Sequence, residues 1–243
     1  MTQPAENKKT KAHSLPAPEE FFLQGVEAPG LTAAEARAIQ RAMKDRVRVV
    51  PMKTKPRLVA GADAAFPDGE VLAVACLFTY PELELVDMQT AVMKLAFPYV
   101  PGLLSFREGP AVIRAVRKLK ERPDVLMLDG QGIAHPQMIG IASHVGVLLD
   151  MPTVGCAKSR LVGEFLEPGR QRGSASALEY KGQVVGTVLR SKDGVRPLFV
   201  SPGHLVDIQD SVDLVLSCSK GFRLPEPTRV ADLETKKLKK KKS

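Results

Sequence analysis

Residues 125–158 restrict the fold more than any other stretch of the chain. The apolar run Val125-Leu126-Met127-Leu128 stops at Asp129-Gly130-Gln131-Gly132 and leads into Ile133-Ala134-His135-Pro136. A short apolar run ending in a carboxylate and glycines predicts a buried strand that delivers an acid to the open end of a sheet. Residues 152–157 form a second apolar run, and it ends in a single charge, Lys158. Between the two runs, residues 137–149 carry Ile141, Val145 and Leu148 at helical spacing, which predicts a strand, helix, strand unit with a right-handed crossover. Parallel neighbours lie about 4.8 Å apart, so Asp129 and Lys158 are expected to emerge side by side.

The chain has 243 residues, 44% of them apolar, enough for one sizeable core and cramped for two. The apolar runs are too short to span a bilayer, and residues 1–18 are polar without a signal-peptide core, so a soluble cytoplasmic monomer is expected. Cys76, Cys156 and Cys218 have no paired spacing and read as reduced core thiols; no zinc pattern is visible. The net charge of +8 sits mostly at the ends: +2 in residues 1–18 and +5 in residues 229–243, leaving +1 for residues 19–228. Residues 19–228 are therefore read as the folded domain. The two charged ends are expected to be disordered tails, the Lys-rich one either solubilising or phosphate-binding.

Thr32-Ala33-Ala34-Glu35 is a capping box and predicts a helix to about Arg46. Three strand-like segments follow at 58–66, 71–80 and 83–94, with connections so short that they must be antiparallel neighbours. A helix is expected over 105–121, strands at 184–189 and 198–200, and a last helix over 207–219 ended by Gly221. The class is α/β, with a mixed sheet.

Asp63 sits in the apolar run 58–66, where a lone buried carboxylate is costly without a partner. Glu108 closes Ser105-Phe106-Arg107-Glu108, itself a capping-box pattern, and Asp129 could cap the next helix. Each acid alone has a structural reading. Together, at one sheet end, three hard oxygen donors without a Cys or His pair suit Mg²⁺ or Mn²⁺. Such an ion polarises a phosphate and activates water, with Lys158 offsetting developing charge and His135 available as proton carrier or phosphate donor. His144, on the apolar helix, reads as a hydrogen-bonded packing residue. In Phe97-Pro98-Tyr99-Val100-Pro101-Gly102, prolines on both sides stiffen the backbone around Tyr99, which suits stacking on bases or an ordinary rigid loop.

The motifs Pro98-Tyr99-Val100-Pro101-Gly102-Leu103-Leu104-Ser105-Phe106-Arg107-Glu108-Gly109-Pro110, Asp129-Gly130-Gln131-Gly132-Ile133-Ala134-His135-Pro136, Ala142-Ser143-His144-Val145-Gly146 and Pro152-Thr153-Val154-Gly155-Cys156-Ala157-Lys158 resemble those of endonuclease V, the deoxyinosine 3′ endonuclease family. The similarity runs from about residue 30 to residue 222. It implies a ribonuclease H-like fold with a mixed five-stranded sheet flanked by helices. It further implies a Mg²⁺-dependent nick, with Mn²⁺ able to substitute, at the second phosphodiester 3′ to deoxyinosine, leaving 3′-hydroxyl and 5′-phosphate. Carried over by motif, Asp63, Glu108 and Asp129 hold the metal, and His135 and Lys158 act at the phosphate. Tyr99 is then the wedge, and Gly102, Leu104, Gly130 and Gly155 line the base pocket. Gln137 stands where many members have arginine, so a phosphate contact there is not expected. Two other functions fit the residues: an endoribonuclease on inosine-containing RNA, and a non-catalytic binder of damaged or branched DNA.

Overall fold

The computed structural model describes residues 31–242, so the expectation for residues 1–18 falls outside the described part. Helix α1 (Ala33–Lys44) starts where its capping box predicts: Thr32 Oγ1 accepts from Glu35 N–H at 3.2 Å, and Thr32 N–H donates to the Glu35 carboxylate at 2.8 Å. Strands β1 (Leu58–Ala65), β2 (Glu70–Thr79) and β3 (Leu85–Lys94) form the antiparallel meander. After α2 (Leu104–Arg117) come β4 (Val125–Leu128), α3 (Ile141–Leu149) and β5 (Thr153–Ala157). β4 lies parallel to β1 on one side and to β5 on the other, the crossover expected for residues 125–158.

Side chains along β4 alternate between two cores, as a strand buried on both faces requires. Leu126 and Leu128 join Ala60 and Ala62 of β1 beneath α1, α2 and α3. Val125 and Met127 face the other way, with Val59, Cys76, Cys156 and Cys218, under Leu214 and Ala231 from the last two helices. All three cysteines are free and buried. Helices therefore cover both faces of the sheet.

The sheet has eight strands, in the order β3-β2-β1-β4-β5-β8-β7-β6. The first five are the ribonuclease H-like arrangement; β6 (Ala175–Tyr180), β7 (Gln183–Leu189) and β8 (Leu198–His204) extend it antiparallel beyond β5. β6 is a half-exposed edge strand, and so lacks the apolar run that marks a buried one. Its turn is legible in hindsight: Lys181 and Gly182 both have positive φ (51° and 73°), as a two-residue hairpin demands. Helix α2 (Leu104–Arg117) has Leu103 at its N-cap and so no side-chain cap; Ser105 lies inside the helix, where its hydroxyl meets His144 Nδ1 at 2.9 Å. His144 is thus the packing residue expected, and burial pushes its pKa down to about 3.

The largest correction concerns the C-terminal end. After α4 (Ile208–Ser217), residues expected to form a disordered Lys-rich tail from 229 onward continue α5 (Glu226–Lys242). The domain therefore does not end at residue 228. Gly61 in the middle of β1 makes the seat: a β-carbon there would lie 2.1 Å from the Pro227 carbonyl carbon. Along α5, Thr228, Ala231, Asp232 and Thr235 are buried, a face of small and polar side chains that carries almost no hydrophobic periodicity.

Candidate active site

The carboxyl ends of β1, β4 and β5 meet at one edge of the sheet, and α5 passes over it. Asp63 stands near the end of β1, opposite Val74. Its Oδ2 accepts from the Thr235 hydroxyl of α5 at 2.7 Å. Burial raises the Asp63 pKa to about 6, and the Asp129 and Asp232 charges add to the effect, against the Thr235 hydrogen bond and Lys158. Glu108, one turn into α2, is pushed up to about 8, first by burial and then by Asp63 and Asp129. The three predicted acids are near enough for their charges to act on one another.

Lys158, at the end of β5, pairs with Asp129 and also with Asp232 of α5, the latter at 2.9 Å. Burial opposes its charge, but the hydrogen bonds to both carboxylates outweigh that and hold its pKa above the ordinary lysine value. The second Asp232 oxygen accepts from Lys236 at 2.6 Å. Burial alone would raise the Asp232 pKa, yet the two lysines bring it down. Asp232 and Thr235 are functional candidates that sequence reading missed, since the helix bearing them was read as a tail.

Among the described residues no three His, Cys, Asp or Glu side chains form a ready-made metal cage; the Lys158 ammonium spans two of the acids. The donor set nonetheless suits a hard divalent cation. Asp63 and Glu108 are carboxyls whose ionisation is disfavoured first by burial and then by neighbouring acids, and such an ion would offset both through oxygen ligands.

A cavity of about 340 Å³ opens from these acids toward the Tyr99 loop. It is lined by Asp129 and Lys158, by the loop from Tyr99 to Gly102, and by Leu104, Gly130, His135 and Ile141. Gly102, Leu104 and Gly130, expected at a base pocket, line this cavity. Gly155 does not. It lies behind the wall, where a β-carbon would come 2.4 Å from Gly132 N and 2.6 Å from Gly130 O, and so lets the 130–132 backbone pack against β5.

Tyr99 is 70% exposed, and its loop is pinned at both ends. Arg107 donates to the Phe97 carbonyl at 3.0 Å. The Gly102 carbonyl accepts from His135 Nε2 and from Gln40 Nε2, both at 2.9 Å. His135 Nδ1 accepts from the Gln137 N–H at 3.1 Å, so the ring is the neutral Nε2–H tautomer. Burial depresses its pKa to about 4. With both nitrogens engaged, His135 braces the cavity. Gln40, 1% exposed on α1, is a second brace that sequence reading missed.

Known proteins share this architecture and its sequence. The chain is 50% identical to endonuclease V of Geotalea uraniireducens over 207 residues, 85% of this chain and 88% of the relative. A crystal structure of endonuclease V from Streptomyces avermitilis superposes with a TM-score of 0.83 at 39% identity, covering 88% of this chain and 96% of that one. Endonuclease V of Ciona intestinalis, crystallised with a 24mer DNA containing an inosine followed by a ribo-adenosine, gives 0.76 at 28% identity, over 86% of this chain and 98% of that one. Because the Endonuclease V family model matches residues 41–233, nearly the whole described domain, the chain belongs to the endonuclease V family of metal-dependent nucleases.

Proposed function

We propose that the protein is a DNA repair endonuclease that recognises deoxyinosine and hydrolyses the second phosphodiester on its 3′ side, leaving 3′-hydroxyl and 5′-phosphate ends. The observation that carries this reading is the continuity of the cavity with the acid cluster through Asp129 and Lys158. A base turned out into the cavity keeps its own strand beside the carboxylates. At about 340 Å³ the cavity lies at the low end for small-ligand pockets, which suits one base. Glycine and neutral His135 walls suit an uncharged purine. Tyr99, exposed and braced, takes the vacated place in the stack.

Asp63, Glu108 and Asp129 are the groups that would hold Mg²⁺, with Mn²⁺ as substitute, and Asp232 is placed to join them. Such an ion, when bound, polarises the phosphate and lowers the pKa of a water. Lys158 provides a fixed positive charge where negative charge grows on phosphorus-bound oxygen. Thr235 orients the Asp63 carboxylate. Among the described residues Asp129 is the one acid lining the cavity, and it is paired with Lys158, so the base is expected to stay attached. The protein would act as a cytoplasmic monomer.

Matched DNA and RNA oligonucleotides, each with one inosine, test the reading when digested in parallel with Mg²⁺ and mapped. The expected product is a single nick at the second 3′ phosphodiester of the DNA, with hypoxanthine still on the 5′ fragment. Free hypoxanthine, or incision on the 5′ side, would overturn it. Faster cutting of the RNA would assign the site to inosine-containing transcripts.

A further inference from the structure

We propose that the lysine-rich end of α5 is a nucleic-acid arm, in which Lys240 and Lys241 contact backbone phosphates on one flank of the cut strand at a fixed distance from the catalytic acids. The proposal rests on the nuclease reading above for its substrate, and adds a surface to it. The family match stops at residue 233, whereas the helix runs on to Lys242. The arm is therefore outside the matched segment.

Three contacts fix this helix where a tail would wander. Its start is seated on Gly61, Thr235 bonds to Asp63, and Leu238 packs against the core beneath the sheet. Lysines then fall into two ridges four residues apart, Lys236 with Lys240 and Lys237 with Lys241. The lower pair is already matched: Lys236 meets Asp232, and Lys237 meets Glu234, both at 2.6 Å. The upper pair has no acidic partner among the described residues. Both are exposed.

At 1.5 Å per residue, Lys240 stands about 12 Å along the axis from Asp232. That is about three to four nucleotides of a strand rising 3.4 Å per step. The arm thus reaches phosphates a few positions from the acids and no further. A membrane surface is a poorer occupant, because Leu238 is spent on the core and leaves the lysine face without the apolar stripe an interfacial helix needs.

The test uses the full chain and K240Q/K241Q, with binding followed by fluorescence anisotropy on plain duplexes and on duplexes with one deoxyinosine. On plain duplex the slope of log affinity against log salt should fall by about two, so that between 50 and 200 mM salt the parent loses about tenfold more affinity than the variant. The preference for inosine over adenine should stay at the parent value. Trimming one flank to two base pairs should erase the difference between parent and variant, while trimming the other should leave it. Two glycines inserted between Leu238 and Lys239 keep every charge and should abolish that dependence on flank. An unchanged salt slope overturns the arm. A slope change indifferent to either flank overturns its fixed register, and equal affinity for vesicles of anionic lipid overturns the choice of partner. Absence of any inosine preference in the parent would strike at the proposed function alone, since the salt slope is read on plain duplex.

Discussion

The acid cluster and the cavity share Asp129 and Lys158 but are built by opposite means. The cluster is made of buried carboxyls, with Asp63 and Glu108 both pushed toward their protonated forms first by burial and then by neighbouring acids. Beyond Asp129, Lys158 and Arg160, the cavity is made of neutral groups and close backbone, with glycines where a methyl would collide and a histidine kept uncharged. One region is sensitive to charge and tolerant of small changes in volume; the other is the reverse. Substitutions that alter only one property at a time can separate them.

Asp129→Asn keeps volume and removes charge. It should cut turnover by about 10²- to 10³-fold or more, the scale of losing one group that stabilises a transition state, while inosine binding persists. Cleavage near the parent rate at saturating Mg²⁺ would remove Asp129 from the metal set. Gly155→Ala does the opposite, adding one methyl 2.4 Å from the Gly132 amide. Overpacking against backbone costs about 1 to 3 kcal/mol, and thermal melting should show it together with a weaker preference for inosine. A variant as stable and as selective as the parent would mean that the 130–132 loop can move aside freely.

The loop that carries Tyr99 offers finer tests. Tyr99→Ala should weaken binding to lesion duplex by about 1 to 3 kcal/mol, the worth of one base stack, and single strands by less. Equal losses would reduce Tyr99 to a structural residue. Gln40→Met removes one of two donors on the Gly102 carbonyl while His135 keeps the other, so a smaller effect is expected, about 1 kcal/mol in inosine affinity with turnover of bound substrate unchanged.

A test of another kind is a dependence of stability on pH. A carboxyl with a raised pKa in the folded chain contributes stability that is whole below its unfolded value and drains away as pH rises through its folded one. For Glu108 that window runs from 4.5 to about 8. Metal-free protein should therefore melt at falling temperatures across this range, and Mg²⁺ should flatten the trend. A flat profile without metal would mean that Glu108 is not buried among acids.

What could be read in the sequence follows from the same contrast. Asp129 and Lys158 were legible because apolar strands ended on them, Asp63 because it interrupts an apolar run, and Glu108 because a long motif surrounded it. Asp232 was hidden: the buried face of α5 is Thr228, Ala231, Asp232 and Thr235, and no hydrophobic stripe announces such a helix. The available signal was polarity of another kind, Glu226 at the first turn and lysines toward the last, which complements a helix dipole. Gln40 was equally silent, a polar residue among Ala36, Ile39 and Met43 whose partner lies 62 positions away. β6 escaped because an exposed edge strand needs no apolar face.

The three cysteines give the molecule a practical property. Cys76, Cys156 and Cys218 are all in the core, and burial raises each thiol pKa, to about 12 for Cys76 and Cys218. Thiolate, the form that reacts with alkylating reagents, is therefore scarce and shielded. A single cysteine introduced at the exposed tip of the Tyr99 loop would then be the one site a maleimide dye finds, and the movement of that tip into a base stack could be timed directly by its fluorescence.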